Sequence, residues 1–312
     1  GRIEVGQISA CITYISMTLM SLIMLSMVFM NFSRVKASSD RVLEVLNENP
    51  EVENTNKTST KEVQKGLVEY AINSFAFKDS EGEAILNNIH FTVQPGTMVA
   101  IIGTTGTGKS TLVNLMPRFY DVTDGYVKID GVDVREYDVV KLREGIGMVP
   151  QENRLFAGTI EENIRWGKKD ASLEEIKHAC QIAQIDEYIE SLPDKYASRV
   201  EERGTNFSGG QKQRLTIARA LIKKPKILIL DDSVSALDST TETNLRAALR
   251  KEFKDTTIFM ITQRINSCKT ADKILVMDDG TIVGEGTHEE LIQNNDVYKE
   301  ISESQKEVMP ED

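Results

Sequence analysis

The sequence predicts an α/β fold with a mainly parallel core sheet, preceded by one transmembrane helix. Three observations carry that expectation. Four short apolar runs, at residues 98–102, 226–230, 257–261 and 273–277, have the length and continuity of strands buried on both faces of a sheet. The first leads straight into a glycine-rich stretch, Gly103-Thr104-Thr105-Gly106-Thr107-Gly108-Lys109-Ser110. Close to the N-terminus, residues 8–32 carry no charged side chain, and about 20 apolar residues are enough for a helix to cross a bilayer.

The uncharged run is longer than the apolar core of a secretory signal, and the basic residues Arg34, Lys36 and Arg41 follow it. This puts the C-terminal end of the span in the cytoplasm and makes membrane lipid a partner. A buried helix of a soluble protein is the alternative, but such helices seldom stay uncharged for so long. Met17, Met20, Met24 and Met27 share one helical stripe, suited either to packing on neighbouring helices or to contact with varied ligands. The chain begins at Gly1, a few residues ahead of the span and without an initiator methionine, so further membrane sequence is expected upstream. The helix should run on and stop before Pro50.

Residues 47–66, NENPEVENTNKTSTKEVQKG, are polar and lack apolar periodicity, as a linker does. After it, residues 67–77 and 85–93 read as two strands joined by a turn-rich segment at 79–82, an antiparallel subdomain. Residues 159–196 are mostly helical in pattern, with Ile176, Ala179, Cys180, Ile182 and Ala183 on one face. The expected division is a membrane helix with its extension at 1–48, a linker at 49–66, a phosphate-binding domain at 67–305 and a tail at 306–312.

Composition narrows the function. With 48 acidic and 37 basic side chains and a formal net charge of −11, the chain lacks the positive field of a duplex-binding surface, and no nucleic-acid partner is expected. Cys11, Cys180 and Cys268 are scattered, odd in number and without metal-ligand spacing, which suits reduced thiols.

A strand running into GTTGTGKS and then a helix is the context of a P-loop. Its glycines let backbone N–H groups turn inward around phosphate oxygens; Lys109 neutralises the outer phosphates, and Ser110 can ligate magnesium. The run ending at Leu230 delivers Asp231 and Asp232 to the C-terminal end of a strand, where ligands gather in open α/β sheets, and Asp231 fits the magnesium aspartate. Upstream, Asn206-Phe207-Ser208-Gly209-Gly210-Gln211 reads as a capping box opening a helix, Ser208 with Gln211 three residues on. The same serine and glycines at a helix N-terminus also form an anion site. The two readings are compatible.

From the last membrane helix onward the chain resembles the ATP-binding cassette exporters. Beside the P-loop and the SGGQ stretch, the resemblance rests on Val149-Pro150-Gln151, Ser235-Ala236-Leu237-Asp238 and Glu202-Arg203-Gly204. It implies ATP and Mg2+ as ligands, bound by residues 103–110 with Thr111, and a transport ATPase at the cell membrane, multi-pass in its full length, with its cassette in the cytoplasm. Gln151 would reach magnesium and sense the membrane domain, Asp238 would contact a partner cassette, and Phe77 would stack on adenine where the family usually has tyrosine. A strand aromatic of this kind also suits a core. The exported substrate is not encoded in this part of the chain.

Two positions depart from the family. Where exporters carry a glutamate that polarises the attacking water, this chain has Asp232, and where they carry a switch histidine, Thr262-Gln263-Arg264 supplies glutamine. Aspartate keeps the charge with one methylene less reach, and glutamine hydrogen-bonds without carrying charge. Both changes fall on the half-site this chain supplies from its own P-loop, whereas Ser208, Gly209, Gly210 and Gln211 are intact. That pattern resembles the degenerate-site subunit of heterodimeric bacterial multidrug exporters, in which one composite ATP site hydrolyses slowly, and the resemblance implies a heterodimer with a second half-transporter rather than a homodimer. Alternatives are a regulatory ATP-binding subunit with little turnover and a soluble cassette of DNA maintenance or translation, which should lack the span.

Overall fold

The computed structural model describes residues 4–48, 50, 52–54, 59–78, 82–233 and 235–308, the last three by their backbone alone. Residues 79–81 of the expected turn, part of the expected linker and the end of the tail lie outside the described residues. The chain divides into two compact units, Gly1–Glu53 and Asn54–Asp312.

The first unit is helix α1, Val5–Asn47, long and apolar enough to cross a membrane. At 1.5 Å per residue it is about 65 Å long, roughly twice the hydrocarbon thickness of a bilayer. Thr13, Thr18, Ser21 and Ser26 satisfy their hydroxyls within the helix, donating to the carbonyls four residues earlier at 2.9, 2.6, 2.9 and 3.0 Å. A hydrocarbon environment offers them no other partner. The helix ends at Asn47, with Glu48 already extended at its C-cap, ahead of Pro50 as expected.

In the second unit, strands β1 (Val68–Phe75) and β2 (Leu86–Val93) pair antiparallel, Val68 opposite Val93 and Phe75 opposite Leu86. Strand β3 (Met98–Ile102) is buried along its whole length and is followed by α2 (Lys109–Asn114). Strand β4 (Asp124–Ile129) joins the other edge of β1, and β5 (Val132–Asp133) extends it, completing an antiparallel sheet in the order β2-β1-β4-β5. Asp138 caps α3 (Val139–Glu144) by accepting from the N–H groups of Val140 and Lys141. Strand β6 (Ile146–Val149) follows.

The helical part opens at β7 (Gly158–Thr159) and contains α4 (Ile160–Arg165), α5 (Leu173–Ile182) and α6 (Asp186–Ser191); β8 (Arg199–Val200) returns to β7, and α7 (Gly209–Leu221) leads back to the core. Then come β9 (Ile227–Asp231), α8 (Ser239–Glu252), β10 (Thr257–Ile261), α9 (Ile265–Cys268), β11 (Lys273–Asp278), β12 (Thr281–Gly286), α10 (His288–Asn294) and α11 (Asp296–Val308).

The core sheet runs β12-β11-β3-β10-β9-β6, parallel except for β12. Side chains alternate across it. Val99 and Ile101 join an apolar cluster with β1, β2 and α2, whereas Met98, Ala100 and Ile102 join a second cluster with the helical part. The sheet is therefore covered on both faces, which is why its strands read as unbroken apolar runs. Register decides what happens at its C-terminal edge. Ile261 in β10 lies opposite Ile101 of β3 on one side and Asp231 of β9 on the other, so the segments leaving these three strands emerge side by side.

Residues 63–66, read from composition as linker, pack with Leu67 as part of this unit. Val63 is buried, and the N–H groups of Gln64, Lys65, Gly66 and Leu67 all donate to the Asp130 carboxylate at 2.7–3.0 Å.

Candidate functional site

The loop between β3 and α2 has the backbone its glycines require. Gly106 and Gly108 have φ of +89° and +88°, the left-handed region that costs a side-chain-bearing residue energy, and a Cβ at Gly103 would sit 2.2 Å from the Met277 carbonyl oxygen. Lys109, 7% exposed, folds back over the loop: Nζ donates to the carbonyls of Gly103 at 2.9 Å and Thr104 at 2.5 Å, with Thr107 Oγ1 at 3.4 Å. Burial lowers its pKa, and Asp232 and Asp231 oppose that shift. Thr104, Thr105 and Gly106 form the exposed lip of the loop, and Thr111 is half-buried in the first turn of α2.

Ser110 Oγ donates to Asp231 Oδ1 at 2.9 Å, joining the loop to the end of β9. Asp231 is 5% exposed. Burial raises its pKa, Asp232 raises it further, and Ser110 and Lys109 pull it down. Asp232 is half-buried, with φ of +45°. Burial raises its pKa as well, against Lys109 and Arg264. Two acids held near one lysine by desolvation make a site that gains from an added cation. Among the described residues no three His, Cys, Asp or Glu side chains cluster to hold a metal. A hydroxyl and a single carboxylate instead suit magnesium, which takes its remaining ligands from water and phosphate oxygens. The donor set fits Mg2+ with a nucleotide.

Gln263 follows β10 by two residues and is exposed, placed by the register beside the Asp231 strand end. Gln151 is exposed just past β6, whose Val149 lies opposite Leu230 of β9. The sheet thus brings Lys109, Ser110, Asp231, Asp232, Gln263 and Gln151 to one edge. None of the histidines joins them: His288 Nδ1 lies 2.8 Å from Tyr298 Oη, His178 sits 3.7 Å from Glu252, and His90 is exposed on β2. Phe77 is half-buried beyond β1, its ring edge-on to Tyr120 at 4.8 Å and Phe75 at 5.2 Å.

At α7, Ser208 Oγ accepts from Gln211 N–H at 3.3 Å and Gln211 Oε1 accepts from Ser208 N–H at 2.9 Å, the capping box its spacing predicts. Ser208 and Gly209 are exposed, and among the described residues outside its own helix turn no atom lies within 4 Å of where a Gly209 Cβ would be. A Gly210 Cβ would stand 3.1 Å from the Ala236 carbonyl, so the helix start abuts the loop of Asp238. Asp238 caps α8 through Thr241 N–H at 2.9 Å.

Sequence reasoning missed two residues. Tyr120 supports Phe77 from a turn that carries no periodic signal. Arg264 donates to the Ser235 and Leu237 carbonyls at 2.7 and 3.3 Å and lies 3.7 Å from buried Glu242, tying the segment after β10 to the loop before α8. Nothing short of the tertiary fold brings these elements together.

Comparison with known proteins agrees with this geometry. A profile described as "ABC transporter" matches residues 86–235. "Uncharacterized ABC transporter ATP-binding protein YfiB" of Bacillus subtilis is 45% identical over 98% of this chain and 52% of its own length. "Putative multidrug export ATP-binding/permease protein YgaD" of the same organism is 44% identical over 85% of this chain and 46% of its own length. Among solved structures, "Structure of a bacterial Atm1-family ABC exporter with ATP bound" superposes with a TM-score of 0.83 at 33% identity, over 98% of this chain and 53% of that one. The chain spans about half the length of the curated relatives it matches. Relatedness of this degree runs through both the apolar helix and the phosphate-loop unit, and the chain belongs to the ABC transporter family.

Proposed function

We propose that this chain is the ATP-driven part of an exporter subunit, coupling ATP binding and hydrolysis between two cassettes to alternating access in a membrane domain. The observation that carries this reading is the start of α7. Ser208 and Gly209 form an exposed, capped helix N-terminus with open space in front of it, suited to the phosphates of ATP held by a second cassette.

The residues then have distinct tasks. Backbone N–H groups of 103–110 and Lys109 hold the phosphates, and Ser110 and Asp231, with Gln151, hold Mg2+, which neutralises phosphate charge when bound. Phe77, backed by Tyr120, offers a face to adenine. Asp232 takes the place of the water-polarising acid, Gln263 that of the γ-phosphate switch, and Asp238 faces the partner cassette. Phe156 and Trp166 stack at 4.6 Å, both exposed, and with Phe119 line a groove of about 560 Å3. That groove suits cytoplasmic loops of a membrane domain.

Asp232 and Gln263 support an asymmetric pair in which this chain's own site hydrolyses weakly and its α7 completes the active site of a different half-transporter. They equally support a regulatory ATP-binding subunit with little turnover. ATPase activity of the purified full-length protein, alone and after assembly with a glutamate- and histidine-bearing partner, separates the readings. Fast turnover by the chain alone argues for a homodimer, fast turnover only on mixing for the asymmetric pair, and slow turnover in both for the regulatory subunit.

A further inference from the structure

Gln263 is held by a side chain from the far end of the cassette. Gln305 Nε2 donates to the Gln263 carbonyl at 2.6 Å, and Gln305 Oε1 accepts from Ile265 N–H at 2.9 Å. Ile265 opens α9, so its N–H has no partner within that helix. Arg264 N–H, between the two contacts, donates to Thr262 Oγ1 at 3.0 Å. The segment leaving β10 is therefore hydrogen-bonded from both sides. A primary amide offers a donor and an acceptor side by side, which neither a carboxylate nor an ammonium provides.

Gln305 is itself well anchored. Tyr298 is fully buried in α11, Ser302 is 3% exposed, and Ile301 packs on the larger apolar cluster. Gln305 follows Tyr298 by two turns and so shares the inward face. Helix α11 packs on α9 and β11, bringing the last helix of the cassette onto the segment that follows the β10 strand end.

We propose that Gln305 is a positioning residue for Gln263: by fixing the backbone on either side of Arg264 it holds the switch glutamine toward the phosphate edge and sets how long this chain's site retains nucleotide. The proposal rests on Gln263 being the phosphate-facing residue of that site. Because the hold acts through main-chain atoms, it fixes the backbone whichever side chain stands at 263 but bears on nucleotide only through a side chain there that reaches the phosphates, and in this way it makes α11 a lever on ATP retention.

The test uses the whole transporter, loaded with radiolabelled ATP and chased with unlabelled ATP, in the variants Gln305→Ala, Gln305→Glu, Gln263→Ala and the Gln263→Ala/Gln305→Ala double. Amide exchange of the peptide covering 263–268 is followed in parallel. Losing hydrogen bonds worth about 1 kcal/mol is expected to speed release roughly 3- to 10-fold in both Gln305 variants. Exchange at Ile265 should rise in Gln305→Ala and stay low in Gln305→Glu, which keeps the acceptor. The double variant should release no faster than Gln263→Ala. Unchanged release in Gln305→Ala alongside faster release in Gln263→Ala overturns the proposal alone, as does an additive double variant, which marks a merely structural role. Unchanged release in Gln263→Ala overturns the reading of Gln263, and the proposal with it.

Discussion

Ser110 and Asp231, from opposite sides of β10, share a 2.9 Å hydrogen bond at the C-terminal edge of the core sheet. Without a cation, that bond and Lys109 only partly offset the burial that raises the Asp231 pKa. A carboxylate with a raised folded-state pKa contributes stability that is full below the ordinary aspartate value and lost as pH rises through the raised one. Above the raised pKa that contribution is gone, so there Asp231→Asn should raise the melting temperature of the nucleotide-free protein, by about 2 °C if the relief is near 1 kcal/mol. The same variant should abolish the extra stabilisation by Mg2+ with ATP. In the parent, Mg2+-dependent binding should weaken as pH falls into the window above the ordinary aspartate value, where Asp231 takes up a proton. Thermal melts across pH, with and without Mg2+, check both; a lowered apo melting temperature in Asp231→Asn contradicts the account.

Among the described residues Lys109 donates to acceptors of its own loop, and it is buried beside two acids, so its ammonium is poised for an anion with more charge than a carbonyl. Lys109→Ala should weaken ATP binding at least tenfold, about 1.4 kcal/mol or more. Calorimetric titration measures it, and unchanged affinity removes the phosphate-loop assignment.

Asp130 anchors the chain's entry into the second unit through four backbone N–H donors. Asp130→Ala leaves those donors to water and should cost about 1.5–3 kcal/mol, a fall of several degrees in melting temperature, with nucleotide affinity unchanged. A parallel loss of ATP affinity would mean the anchor also shapes the site.

The readable parts of this molecule are those fixed by local chemistry. Residues 103–110 encode their own backbone, Ser208 and Gln211 their own cap, and apolar runs such as 257–261 their burial on both faces. Strand β6 escaped because Gly147 interrupts a four-residue run; its Cβ would lie 2.8 Å from Pro225, so close packing removed the side chain that would have marked the strand. Strand β4 hides behind a mixed polar sequence on a half-exposed sheet, and β12 contains Gly284, where a Cβ would meet the Asn295 side chain at 2.5 Å. The contacts of Asp130, Arg264 and Gln305 reach across 63 to 66, 27 to 29 and 40 to 42 residues. Such pairings belong to tertiary structure and leave no periodic trace.

The strongest functional expectation is unequal weight for the two halves of the cassette. Among the described residues outside its own helix turn, no atom lies within 4 Å of a would-be Gly209 Cβ, and Ser208 caps its helix while remaining exposed. Gly209→Asp therefore leaves this chain's packing intact and acts on whatever stands in front of α7. If that is a partner's ATP, a carboxylate placed against its phosphates should reduce turnover of the assembled transporter by about 10²-fold or more, and Ser208→Ala should reduce it to a lesser degree. On the asymmetric reading proposed above, Asp232→Asn acts on the other half-site, where the acid is short and the switch position holds an uncharged glutamine. It should change total turnover by less than about threefold, since a base too far from its water contributes little to the rate. Steady-state ATPase of the purified assembly gives the comparison, and a larger loss from Asp232→Asn than from Gly209→Asp would sink the asymmetric reading in favour of two equivalent sites.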